Sequence, residues 1–143
     1  MSPHHFASVI LVDNRGWVLL QERDEHPDID PGKWGFVGGG VEAGEDFRTA
    51  AYRELGEETG VEIDDGLELY GTFSVFHEHC GQDDEFQLWA MATDLGDGDI
   101  ECHEGRQICF VDPAELGSLE LTASATVALR GFLDSDHYHR LAS

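Results

Sequence analysis

The stretch GGVEAGEDFRTAAYRELGEETGV, Gly39 to Val61, decides how this chain is read. Asp46 stands just before Phe47, where an N-cap would stand. Ala50, Ala51, Tyr52, Arg53, Glu54 and Leu55 are mostly competent helix formers. Gly60 suits the position just past a helix, because it takes a left-handed conformation at no steric cost. The pattern therefore predicts one helix over 47–59. On it Glu54, Glu57 and Glu58 fall at i, i+3 and i+4, which places three carboxylates on one face within a turn. Ala50 and Ala51 lie below them on a similar arc, small enough for close packing.

Three such carboxylates repel. A solvated helix surface tolerates this at a few tenths of a kcal/mol per pair, whereas a partly buried site needs a cation. Ligands that offer only oxygen favour hard cations, Mg2+ or Mn2+. Spacing alone would also suit an ordinary acidic face, which is no rarity in this chain. What sets it apart is the fixed placement of Gly39, Glu45, Arg53 and Gly60 around the glutamates.

Those positions resemble the Nudix box, G-x5-E-x7-R-E-U-x-E-E-x-G-U with U bulky and apolar. The match holds at every specified position: Gly39, Glu45, Arg53-Glu54-Leu55, Glu57-Glu58 and Gly60-Val61. The resemblance implies an α/β/α sandwich with a mixed β-sheet between helices, and a metal-dependent hydrolase of nucleoside diphosphates linked to a further group. It implies Glu54, Glu57 and Glu58 as metal ligands, with the Gly38 carbonyl beside them. It implies Glu54 as the base that activates water, although other members carry that base in a later loop. Arg53 would orient the carboxylates. A further glutamate outside the box is common in relatives, and Glu104 in HEGRQICFVDPAEL matches its usual placement; Glu85 and Glu101 are alternatives. Many relatives read W-x-x-P-G-G before the box. Here the segment is Trp34-Gly35-Phe36-Val37-Gly38-Gly39, so valine replaces a rigid proline just before the carbonyl in question.

The remaining elements agree with an α/β layered domain. Phe6–Val12 and Trp17–Leu20 read as a hairpin joined through Asp13-Asn14-Arg15-Gly16. Residues 24–33 read as a loop, Trp34–Val37 as a short extended piece, and Gly38-Gly39-Gly40 as a place where backbone can approach a ligand closely. Leu67–Phe76 and Phe86–Thr93 read as longer strands joined by HEHCGQDD. Gln107–Val111 reads as a short strand, and Asp112-Pro113 opens a turn or short helix through Leu116. Leu121–Leu133 is helical in pattern, capped by Thr122 or Ser124. The tail SDHYHRLAS carries no strong structural signal. Residues 1–143 are expected to form one domain.

The formal charge of −22, with eight basic residues among 143, argues against a broad nucleic-acid footprint or an anionic membrane surface. It also means that a phosphorylated substrate must be met by metal ions or by focused basic residues. Arg23, at the end of LLQER, and Lys33, just before Trp34, flank the Gly-rich segment and are the candidate phosphate contacts; Gly39 offers backbone to the same ligand. Phe73, Phe76 and Trp89 could stack a base or simply fill the core. No run of about 18 apolar residues occurs, and the start lacks a signal-peptide pattern. Three cysteines, Cys80, Cys102 and Cys109, are too few and too irregular for a disulfide framework, which fits a reducing cytoplasm. His77-Glu78-His79-Cys80 with Cys102 and His103 lacks the paired spacing of a zinc site.

The expectation is a cytoplasmic Mg2+-dependent pyrophosphohydrolase of (deoxy)nucleoside triphosphates, monomer or homodimer, with a small nucleotide as its partner. Nucleotide sugars or ADP-ribose are the alternative substrates. A non-catalytic nucleotide-sensing module is the alternative class, but such a module could dispense with the glutamates that this chain keeps.

Overall fold

In the computed structural model, residues 5–23, 32–77 and 82–142 are described. The loop expected over 24–33 and the connection after His77 lie mostly outside them. Seven strands form one sheet: β1 (His5–Val12), β2 (Val18–Glu22), β3 (Trp34–Gly35), β4 (Val37–Gly40), β5 (Glu68–His77), β6 (Gln82–Ala92) and β7 (Gln107–Val111). The spatial order is β3-β2-β1-β6-β5, with β4 pairing to β1 and β7 to β2. Among these strands β1 runs parallel to β6 and the other pairings are antiparallel. The sheet is therefore mixed.

β1 is apolar on both faces because both are covered. Ala7, Val9 and Leu11 face a cluster with Leu19, Val37, Ala50, Ala51 and Leu55. Ile10 and Val12 face a second cluster with Phe36, Phe86, Leu88, Ala128, Leu129 and Phe132. The first cluster carries α1 (Phe47–Thr59); the second carries α2 (Ala123–Leu133) and α3 (Asp136–Ala142). This is the expected three-layer arrangement. On the α2 side, Phe6, Phe86 and Phe73 stand side by side on β1, β6 and β5, with ring centroids 5.2 and 5.3 Å apart.

Helix α1 has the predicted bounds. The Asp46 side chain accepts from the Thr49 N–H, and Gly60 sits at φ 76° with its N–H donating to the Gly56 carbonyl. Ala50 and Ala51 are fully buried, as close packing requires. Two differences from the sequence reading are instructive. The extended piece at 34–37 continues to Gly40, because β4 pairs along β1 from Phe6 opposite Gly40 to Val9 opposite Val37. The tail forms helix α3, held from outside its own sequence: the Tyr138 hydroxyl donates to the Gly16 carbonyl at 2.5 Å and the Tyr138 ring packs edge-on against Phe132. Thr122 is the α2 cap, accepting from the Ala125 N–H.

Candidate active site

The last two turns of α1 lie against β4. The Gly38 N–H donates to Oε2 of Glu58 at 2.7 Å. Gly38 adopts φ 155°, and a Cβ there would stand 2.1 Å from the Ala7 carbonyl oxygen. Only glycine lets this segment lie so close to β1 while aiming its amide at the helix. Gly39 has a related role, since a Cβ on it would fall 2.5 Å from Oε1 of Glu54. Val37, the residue that stands where relatives have proline, is fully buried in the α1-side cluster. Strand pairing to β1 thus holds the Gly38 backbone, and a proline ring is not needed for that.

Arg53 is the hub of the upper half of the site. Its Nε and Nη2 donate to the two oxygens of Glu45 at 2.8 and 2.9 Å. Nη1 reaches Glu54 Oε1 at 2.9 Å and Glu57 Oε2 at 3.1 Å, and Nη2 also donates to the Gly40 carbonyl at 2.8 Å. A planar guanidinium is suited to this fork. Its contacts hold Glu45 down to a pKa of about 2 and raise that of Arg53 itself. Glu45, one of the fixed positions of the box, thus serves as the main anchor of Arg53.

The lower half is more deeply buried. Glu58 is only 4% exposed. Burial is the largest influence on its carboxyl, followed by the hydrogen bond that its protonated form donates to the Glu104 carboxylate, and together they push its pKa up to about 9 against the opposing Gly38 N–H. Burial also raises Glu54, with Arg53 opposing and Glu57 and Glu104 adding repulsion. Glu54, Glu58 and Glu104 are therefore close enough to feel one another, and Glu57 lies at the rim. Of the alternatives to Glu104, Glu101 pairs with His103 and Glu85 lies near His5 on the sheet.

Among the described residues, no three acidic, histidine or cysteine side chains gather tightly enough to enclose an ion. The cause is visible in the hydrogen bonds: Arg53 draws Glu54 and Glu57 toward itself, while Glu58 turns to Gly38 and Glu104. The donor set nevertheless fits a hard divalent cation. A nearly buried carboxyl shares a hydrogen bond with a second carboxyl, and a cation could take the place of that shared proton. Glu54, Glu57, Glu58, Glu104 and the Gly38 carbonyl are the groups that could hold it.

Arg23 and Lys33 meet across the neck of the loop, with the Arg23 N–H donating to the Lys33 carbonyl at 2.8 Å. Of the stacking candidates, Phe73 belongs to the three-ring row and Phe76 is exposed, whereas Trp89 packs on the α1-side cluster. Two contributors went unread in the sequence. Gln21 Nε2 donates to the Glu104 carbonyl at 2.8 Å, and His103 binds the end of α1. By sequence His103 falls in the grouping that lacks the paired spacing of a zinc site, and its position beside Glu104 is the signal the chain offers.

The chain belongs to the Nudix family, whose NUDIX domain model matches residues 3–132. It is a MutT-like Nudix hydrolase acting on derivatives of nucleoside diphosphates. Among curated relatives it is 40% identical over 132 residues to nucleoside triphosphatase NudI of Salmonella agona, covering 86% of this chain and 94% of that protein. It is 28% identical over 123 residues to CTP pyrophosphohydrolase of Escherichia coli, covering 86% and 87%. The fold matches that of the MutT protein from Methanosarcina mazei, with a TM-score of 0.73 and 21% identity over 97% of this chain and 95% of that one. It also matches the NUDIX domain of Shewanella oneidensis NrtR, solved with ADP ribose, with a TM-score of 0.75 and 16% identity over 91% and 86%.

Proposed function

We infer that this protein is a divalent-metal-dependent pyrophosphohydrolase of nucleoside triphosphates. The observation that carries the reading is the nearly buried Glu58 carboxyl, hydrogen-bonded to Glu104 and to the Gly38 amide, with Glu54 beside them. Such a group of acids has no role in holding the fold that apolar side chains could not fill better. Two curated relatives named for nucleoside triphosphate substrates, each matched over most of its length, favour this substrate class over nucleotide sugars and ADP-ribose.

When bound, Mg2+ or Mn2+ would offset the charge of the diphosphate and lower the pKa of attacking water. The chain's own residues do the rest. Glu54 accepts the proton of that water, and its partial burial makes it a stronger base than a solvated carboxylate. Arg53 fixes the Glu54 carboxylate in orientation. Glycine at 38 lets β4 lie close against β1, and glycine at 39 leaves the place that the Glu54 carboxylate occupies. Arg23 and Lys33, whose main chains meet at the loop neck, supply positive charge to the terminal phosphates.

The test is incubation of the purified protein with Mg2+ and a panel of nucleoside triphosphates, nucleotide sugars and ADP-ribose. Products are identified by chromatography. Nucleoside monophosphate and pyrophosphate from triphosphates are expected. Turnover of ADP-ribose or a nucleotide sugar at higher kcat/KM would replace the substrate class, and no turnover of any would favour a sensing module.

A further inference from the structure

We propose that His103 is a positioning residue that holds Glu104 against Glu58 by binding the open end of helix α1. A helix leaves its last four carbonyls without intrahelical partners. Here the Gly56 carbonyl accepts from Gly60 and the Thr59 carbonyl from the Glu101 N–H at 2.9 Å. The other two are taken by one residue: the His103 N–H donates to the Glu58 carbonyl at 2.9 Å, and Nδ1 lies 2.6 Å from the Glu57 carbonyl. Nε2 lies 3.0 Å from Oε1 of Glu101, so the ring bridges the helix end to the segment that precedes it. A backbone carbonyl can only accept, which makes Nδ1 the donor.

These contacts bear on the site because the residues that His103 holds by their main chains, Glu57 and Glu58, carry candidate ligands on their side chains. The next residue along, Glu104, carries another. Its carbonyl accepts from Gln21 Nε2 and from the Cys102 thiol. The Glu104 carboxyl is therefore placed by a short segment fixed at both ends. Removing the ring leaves the His103 amide bond but frees the segment to turn about it. Outer partners of ligating groups typically change metal affinity by about 10–100-fold.

The inference rests on the reading of Glu58 and Glu104 as metal-holding groups. Its test is the affinity of the whole chain for Mn2+ alone, measured as free Mn2+ by electron paramagnetic resonance, for wild type, His103→Ala and His103→Asn. The asparagine amide can occupy the place of Nδ1 and donate to the Glu57 carbonyl. His103→Ala is expected to bind Mn2+ about tenfold more weakly, and His103→Asn to remain within about threefold of wild type. Saturating Mn2+ should return kcat of the alanine variant toward wild type with the nucleotide KM unmoved. A lowered melting temperature with Mn2+ affinity unchanged would make His103 merely structural and overturn the proposal. So would an asparagine variant as weak as the alanine one. A wild-type protein that takes up no Mn2+ would overturn the metal reading and this proposal together, whereas wild-type uptake with unchanged variants would overturn this proposal alone.

Discussion

The amide of Gly38 and the carboxylate of Glu58 are joined by a 2.7 Å hydrogen bond, which ties the Gly-rich strand to the last turn of the helix. The bond partly offsets the cost of burying an acid, but burial and the nearby Glu104 outweigh it. The result is an acid kept at a disadvantage in the folded chain, which is expected of a group retained for chemistry.

Glu58→Gln should separate function from stability. The folded pKa of Glu58 is raised to about 9 from an ordinary 4.5, so between those values the native state holds a proton that the unfolded chain has lost. Stability from this group therefore falls as pH rises through that window. The glutamine variant should be more stable than wild type at pH 8 and nearly equal to it below pH 4.5, by urea denaturation, while kcat falls about a hundredfold or more. Wild-type turnover in the variant would remove Glu58 from the site.

Gly39→Ala places a methyl group where the Glu54 carboxylate now lies. The end of that side chain can swing away, so the cost to stability should be about 1 kcal/mol at most. The displaced carboxylate should lower kcat about tenfold or more. Steady-state kinetics beside a thermal melt will tell the two effects apart; an unchanged kcat would detach Glu54 from proton transfer.

Glu45→Gln probes the Arg53 hub. Glu45 has its pKa lowered to about 2, so the stability it contributes is present above the unfolded value near 4.5 and is lost as pH falls toward 2. The variant should be less stable than wild type at pH 6, with the gap closing across pH 4.5 to 2. Equal melting temperatures at pH 6 would mean that the guanidinium finds other acceptors.

Arg23→Ala should raise the nucleotide KM more than it lowers kcat, as loss of a uniform phosphate contact does. A KM that stays put would place Arg23 outside the substrate's reach.

Phe86→Ala deletes the middle ring of the three-ring row, a fully buried side chain. It should cost about 3–5 kcal/mol, measurable by denaturant titration. A smaller cost would show that Phe6 and Phe73 close over the gap.

Local chemistry explains what the sequence made legible. Helix α1 could be bounded to the residue because Asp46 and Gly60 act on their own neighbours. The face shared by Glu54, Glu57 and Glu58 follows from helical geometry alone. Contacts between distant segments were harder to read. Helix α3 has little apolar pattern of its own and depends on Tyr138 reaching Gly16. The division of the glutamates between Arg53 and Glu104 depends on which partner approaches from another strand or loop, and spacing along the chain does not encode that. His103 escaped notice for the same reason: its ring serves carbonyls that belong to a helix far earlier in the sequence.

The parallel pairing of β1 beside β6 sets the order in which the chain can be completed. Phe6 lies opposite Phe86, so an early-made strand stays half-dressed until the ribosome has passed Ala92. Contacts this remote along the chain are slow to form, and an apolar strand waiting for a neighbour invites association with other nascent chains. Production of this protein should thus be most sensitive to temperature and chaperone supply during the making of its middle third, before β6 arrives to cover the open edge.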